Sequence, residues 1–130
     1  MNDLPDFSRR GFMRTSALGL GAGMGLGLGG LEALAQTARE IAERHEVTVE
    51  PVAADITTGD GRARVLDALG GQADILVTNA GGPPPGRWTD WGRDDFIQAI
   101  DANMLSAIAL MQALVPGMMD RGWGRVVNIT

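Results

Sequence analysis

Three short apolar runs, VTVEPVAAD, ADILVTN and GRVVNIT, are separated by stretches whose apolar residues recur every three or four positions. This alternation constrains the fold more than any other feature of the chain. A strand covered on both faces reads as a continuous run of small and β-branched residues. A strand–helix–strand unit must then cross over right-handed, which leaves its strands parallel. The spacing predicts an α/β fold with parallel strands over residues 47–54, 75–78 and 126–129, lying side by side. Pro51 predicts a bend or an edge position within the first of them.

The intervening patterns predict three helices. Leu31, Leu34, Ala35, Ala38, Ile41 and Ala42 share one face of the first, and His45 falls at its exposed end. Residues 60–69 form a short helix with Val65, Leu66 and Leu69 inward, stopped by Gly70-Gly71. Residues 94–121 carry the longest signal, a stripe of Phe96, Ile100, Met104, Ile108, Met111, Val115 and Met118 closed by Gly122 and Gly124. Pro116 is expected to bend that helix or loosen one turn. Three consecutive prolines force a loop over residues 82–86, flanked by Trp88 and Trp91, which read as packing residues.

The glycine-rich stretch over residues 19–30 contains G-x-G-x-x-G at Gly25, Gly27 and Gly30. That pattern cradles phosphate only where it follows a strand and opens a helix, and no strand pattern precedes it here. Ser8-Arg9-Arg10-Gly11-Phe12-Met13-Arg14 resembles a twin-arginine signal instead. A mildly apolar segment too short and glycine-rich for a membrane span follows, and Ala33-Leu34-Ala35 has the small-x-small pattern of a cleavage site. The expectation is a targeting segment over residues 1–35 and a folded domain over 36–130, with an exported or periplasmic location. The alternative is cytoplasmic.

Composition removes several functions. The formal net charge is −5, with no cationic cluster beyond the first residues, so nucleic acid is not an expected partner. There is no Cys and a single His, which leaves no thiolate chemistry and a poor basis for a metal site. Every cation is Arg, and Tyr and Lys are both missing from these residues.

Asp55 after the first strand, Asn79-Ala80-Gly81 after the second, Asn103 in the long helix and Gly124-Arg125-Val126-Val127-Asn128-Ile129 as the third strand make a specific combination. From about residue 31 to 130 the chain resembles the short-chain dehydrogenase/reductase family, in texture its 3-oxoacyl reductase-like members. The resemblance implies an incomplete Rossmann-like parallel sheet, whose first two strands and glycine-rich turn would precede residue 31. It implies NAD or NADP as cofactor and hydride transfer to or from a carbonyl or alcohol substrate.

In such a sheet, ligands sit beyond the carboxyl ends of the strands. Asp55 would accept from the adenine amino group and Ile56 would pack on the ring, the alternative being that Asp55 only caps the next helix. Asn79, Ala80 and Gly81 would lie along a ribose, with Asn79 also bracing neighbouring strands. Asn103 is the candidate catalytic position, joining through its backbone a water-linked proton relay to a Lys. The family's Tyr and Lys are not among these residues, so this chain by itself is expected to be inactive. The 94–121 helix implies a possible homo-oligomer contact. A second reading is an exported, non-catalytic association module built on that helix.

Overall fold

The computed structural model describes residues 15–16, 28–80 and 85–129. The twin-arginine-like run and Gly81 lie outside the described residues. Helix α1 spans Leu28–His45. It buries Leu34 and Ala38 and half-buries Ala35, Ile41 and Ala42, as the spacing predicts, but Leu31, expected on the same face, is exposed, and His45 ends the helix exposed. Ala33-Leu34-Ala35 therefore sits inside a helix, with Leu34 in the core. Glu46 adopts a left-handed φ of 52°, and the Val47 N–H donates back to the Ala42 carbonyl at 3.2 Å to close the end.

The predicted first strand is regular only at β2, Glu50–Pro51, which pairs in parallel with β1, Thr15–Ser16. A short strand thus stands within the stretch expected to be a targeting segment. Helix α2 spans Gly59–Ala68 and is capped by Thr58, whose side chain accepts from the Gly61 N–H at 3.0 Å. Gly70 and Gly71 end it, both at positive φ. Their amides donate to the Asp67 and Leu66 carbonyls at 2.9 and 2.8 Å, the reciprocal pattern that satisfies a helix's last carbonyls. Gly122, with φ 69°, and Trp123 repeat the arrangement on Met119 and Met118.

Strands β3 (Ile75–Asn79) and β4 (Arg125–Ile129) run parallel, Ile75 opposite Arg125 and Asn79 opposite Ile129. Among the described residues, β2 and β3 do not pair. The sheet is split into β1-β2 and β3-β4 rather than forming three adjacent strands. The regular part of β2 is two residues long, one of them a proline without an N–H, which is too little for a second ladder. Side-chain packing joins the halves instead. Ala54, Ile56 and Val65 form one buried cluster, against which Val52, Leu69 and Ala80 pack. Leu69 also packs against the second cluster, Leu76, Leu110, Leu114 and Met118.

The long helix consists of α3 (Arg93–Ile100), a π turn (Asp101–Leu105) and α4 (Ser106–Asp120). Its core face is Ala102, Ser106, Ala107, Leu110, Leu114 and Met118. The predicted stripe divides: Phe96, Ile100, Met104 and Ile108 are exposed, whereas Met111 and Val115 are half-buried against the core and Met118 is buried. This helix is apolar on most of its circumference, so periodicity alone could not choose the buried side. It also runs through Pro116 as a regular helix. Pro116 and Gln112, whose carbonyl loses its usual partner, are both exposed, so solvent takes the place of the missing bond. By length and apolarity the Arg93–Asp120 helix could cross a membrane, but its packing on Leu76 makes it the core helix of this fold.

One face of the β3-β4 pair is covered by α4 through Leu76. The other is bare, with Val77, Val127 and Ile129 exposed by 56%, 48% and 50%.

Candidate cofactor site at the strand ends

The carboxyl ends of β3 and of the segment after β2 come together because Ala80, just past β3, packs against Ala54, Ile56 and Val65. Ala80 at the end of β3 thus stands beside the segment that carries Asp55 and Ile56, forming a rim although no ladder joins their strands. The rim is built from short-range hydrogen bonds. The Asp55 carboxylate Oδ1 accepts from the Thr57 N–H at 2.9 Å and from the Thr57 hydroxyl at 2.7 Å. The Asp55 carbonyl accepts from the Thr58 N–H at 3.1 Å and from its hydroxyl at 2.8 Å. Arg62 reaches back from α2, one Nη1 donating to the Ile56 and Thr57 carbonyls at 2.9 Å each.

This arrangement separates two roles that the sequence left open for Asp55. The helix cap is Thr58, three residues on, so the Asp55 carboxylate is not consumed by α2. It folds over its own turn, with Oδ1 held by Thr57 and Oδ2 making no hydrogen bond among the described residues. Ile56 is 8% exposed and packs inward. A side chain with so little free surface supports the turn from beneath, and offers less to an adenine ring than the sequence suggested.

Asn79 is exposed on the bare face of β3 and makes no side-chain hydrogen bond among the described residues. The bracing expected of it falls to its neighbour: the Thr78 hydroxyl donates to Asn128 Oδ1 at 2.7 Å, between residues directly opposite in the parallel register. Thr78 is buried, where a hydroxyl needs a partner, and Asn128 meets it from an exposed strand. A strand ending in Thr-Asn opposite another carrying Asn was the available signal for this pair, but register is a long-range property.

Asn103 lies apart from these side chains, inside the π turn. It is half-buried, and its side-chain amide donates to the Ala99 carbonyl at 3.1 Å. The turn itself is a feature that pattern reading missed, since a one-residue insertion hardly disturbs an apolar stripe read over several turns. The two tryptophans divide. Trp91 packs edge-on against Phe96, with ring centroids 6.0 Å apart, whereas Trp88 is 76% exposed and is not the packing residue expected.

The likeness to known proteins follows the same residues. The short chain dehydrogenase family model matches residues 17–130. An uncharacterized oxidoreductase of Myxococcus xanthus is 38% identical over 100 residues, covering 73% of this chain and 39% of the relative. The D-beta-hydroxybutyrate dehydrogenase of Rhizobium meliloti is 33% identical over 105 residues, covering 78% of this chain and 40% of that protein. Among solved structures, the L-sorbose reductase of Gluconobacter frateurii complexed with NADPH and L-sorbose superposes with a TM-score of 0.66 at 31% identity, over 74% of this chain and 38% of the reductase. The chain thus spans about two fifths of the length of these relatives. With its parallel βα units, its Asn79-Ala80 strand end and a family match running from residue 17 to 130, the chain belongs to the short chain dehydrogenase family.

Proposed function

We propose that the 55–58 turn and the Asn79-Ala80 end of β3 form the adenosine part of an NAD(P) site. The protein would serve hydride transfer to or from a small carbonyl or alcohol substrate. The packing of Ala80 on the Ala54, Ile56 and Val65 cluster supports this reading, because it brings the end of β3 beside the segment that carries Asp55. The donor set fits an adenine. A carboxylate with Oδ1 already held by Thr57 keeps Oδ2 as an acceptor for an exocyclic amino group. Ala80 leaves room beside it, and Asn79 offers an exposed amide to a ribose hydroxyl. Gly81 would allow close backbone approach by the same family likeness. When bound, the cofactor supplies a nicotinamide that gives or takes the hydride.

Asn103 would contribute its backbone to the proton relay that the family resemblance implies. The rest of that relay needs a Tyr and a Lys, and these residues contain neither. Purified chain is therefore expected to show no NADPH oxidation with any ketone, while still preferring AMP to IMP in an NMR titration. IMP carries a carbonyl where AMP carries the amino group. Asp55→Asn should weaken AMP about fivefold and shrink that preference, as a hydrogen bond to a charged acceptor becomes a neutral one. Equal binding of AMP and IMP by the unaltered chain would overturn the assignment.

A second reading, association through the long helix, is favoured by the exposed Phe96, Ile97, Ile100, Met104, Leu105 and Ile108. A self-associating chain should sediment as a dimer, and Ile100→Glu should return it to monomer. A monomer at every concentration removes this reading. The encoding DNA beyond Thr130 separates an enzyme from a non-catalytic module: a Ser followed by Tyr-x-x-x-Lys supports the enzyme.

Export through residues 1–35 is proposed on the Ser8–Arg14 pattern and the Ala33–Ala35 motif. Cleavage after Ala35 would remove the first part of α1 and its buried Leu34. Intact mass of the chain recovered from the periplasm tests it. A species beginning at Gln36 is expected, and full-length chain confined to the cytoplasm would rule it out.

A further inference from the structure

The π turn inside the long helix ends at Ser106. In an α-helix the Ser106 amide would donate four residues back, to the Ala102 carbonyl. Here it reaches five residues back, to Asp101. That takes from the Ala102 carbonyl its ordinary partner at a position where Ala102 is 5% and Ser106 2% exposed, out of reach of solvent. The Ser106 hydroxyl donates to that carbonyl instead.

The chain contains its own contrast. In α1 the Thr37 hydroxyl also donates four residues back, to the Ala33 carbonyl at 2.9 Å, but on an exposed face of a regular helix. A hydroxyl there only adds to a carbonyl that the helix or water already satisfies. At position 106 the hydroxyl goes to the carbonyl that the same residue's amide has left for Asp101.

We propose that Ser106 is the positioning residue that maintains the π turn, and through it the rotational phase of Asn103 and α3 relative to α4. A π turn holds one more residue than an α turn. Closing it to α geometry would rotate everything on its N-terminal side by about 100° about the helix axis. The Asn103 backbone, Trp91 against Phe96, and the exposed Ile97-Ile100 face would all leave their present places. The consequence for a proton relay rests on the reading of Asn103 given above. The assignment of the turn to Ser106 does not, and the two fail separately.

The test removes one oxygen. Ser106→Ala should lower the urea midpoint of the full chain, followed by far-UV circular dichroism, even though alanine is the better helix former. Complete unfolding of the variant is the same sign carried further. Thr37→Ala should leave the midpoint unchanged or raise it. In parallel, hydrogen-bond scalar couplings in labelled protein should place the amide of position 106 on the carbonyl of Asp101 in the parent. In whatever folded Ser106→Ala remains, the partner should be the carbonyl of Ala102. A raised or unchanged midpoint for Ser106→Ala, or a position-106 amide still paired with Asp101, would overturn the assignment. If Ser106→Ala behaves as expected but leaves turnover unchanged in an active protein containing these residues, the positioning of the turn stands and the relay through the Asn103 backbone falls.

Discussion

Gly61→Ala should cost the protein about 3 kcal/mol, enough to dismantle the rim between Asp55 and α2. A Cβ on Gly61 would lie 1.8 Å from the Asp55 carbonyl oxygen and 2.5 Å from its carbon. The obstacle is backbone rather than the tip of a flexible side chain, so one of the two segments must move. The Asp55 carbonyl cannot retreat without giving up both donors from Thr58. Moving α2 away breaks the Thr58 cap on the Gly61 N–H and pulls Val65 from Ala54 and Ile56. Loss of adenine nucleotide binding should accompany the loss of stability, because Asp55 is displaced along with its turn. Gly59, two residues earlier in α2, is the control: nothing lies within 4 Å of its would-be Cβ. Gly59→Ala should be neutral or stabilise by about 0.5 kcal/mol. Urea midpoints of the two variants measure the contrast, and equal midpoints would show that the turn is looser than its hydrogen bonds imply.

Leu114→Ala is expected to remove about a third or more of the protein's stability and to lower its urea midpoint accordingly. Leu114 is 1% exposed and stands among Leu76, Leu110 and Met118, the cluster that fixes α4 to β3. Truncating a leucine in such a place costs about 2–5 kcal/mol in lost burial and in the cavity left behind. A chain of this length would ordinarily have about 6–20 kcal/mol in reserve. The bare face of β3-β4 keeps this one near the lower end, since Val77, Val127 and Ile129 contribute little burial. For the same reason the parent chain should unfold in urea with a slope below that usual for its length, as slope scales with the surface exposed on unfolding. Met119→Ala, at a side chain 74% exposed, should move the midpoint by less than about 0.5 kcal/mol in equivalent stability. A Leu114→Ala protein with a steep transition near the parent midpoint would mean that the core lies elsewhere.

The two variants also mark where sequence reading stopped. Leu114 was not in the predicted core stripe, and Gly61 was not singled out, yet these are the positions with the least freedom. Both depend on a neighbour far along the chain or on another backbone segment: Leu114 on Leu76, Gly61 on the Asp55 carbonyl. Asp55, Asn79, Ala80 and Asn103 are candidates because family likeness marks them. Thr58 as the cap, Thr78 with Asn128 as the brace and Ser106 as the hydroxyl of the π turn were not.

Local pattern was enough to determine the alternation of helices and strands after residue 31, the glycine stops at Gly70-Gly71 and Gly122, most of the buried face of α1 and the family itself. Each of these is written within a few turns of helix or one short strand, where spacing and allowed φ leave little choice. The tertiary structure decided which side of the long helix is core, how the strands divide into two pairs, and where one turn opens into π geometry. Those outcomes are settled between segments that are distant in sequence: an all-round apolar helix takes its inward face from the strand it meets. A strand likewise pairs only where a neighbour offers a matching row of amides and carbonyls, which Pro51 interrupts.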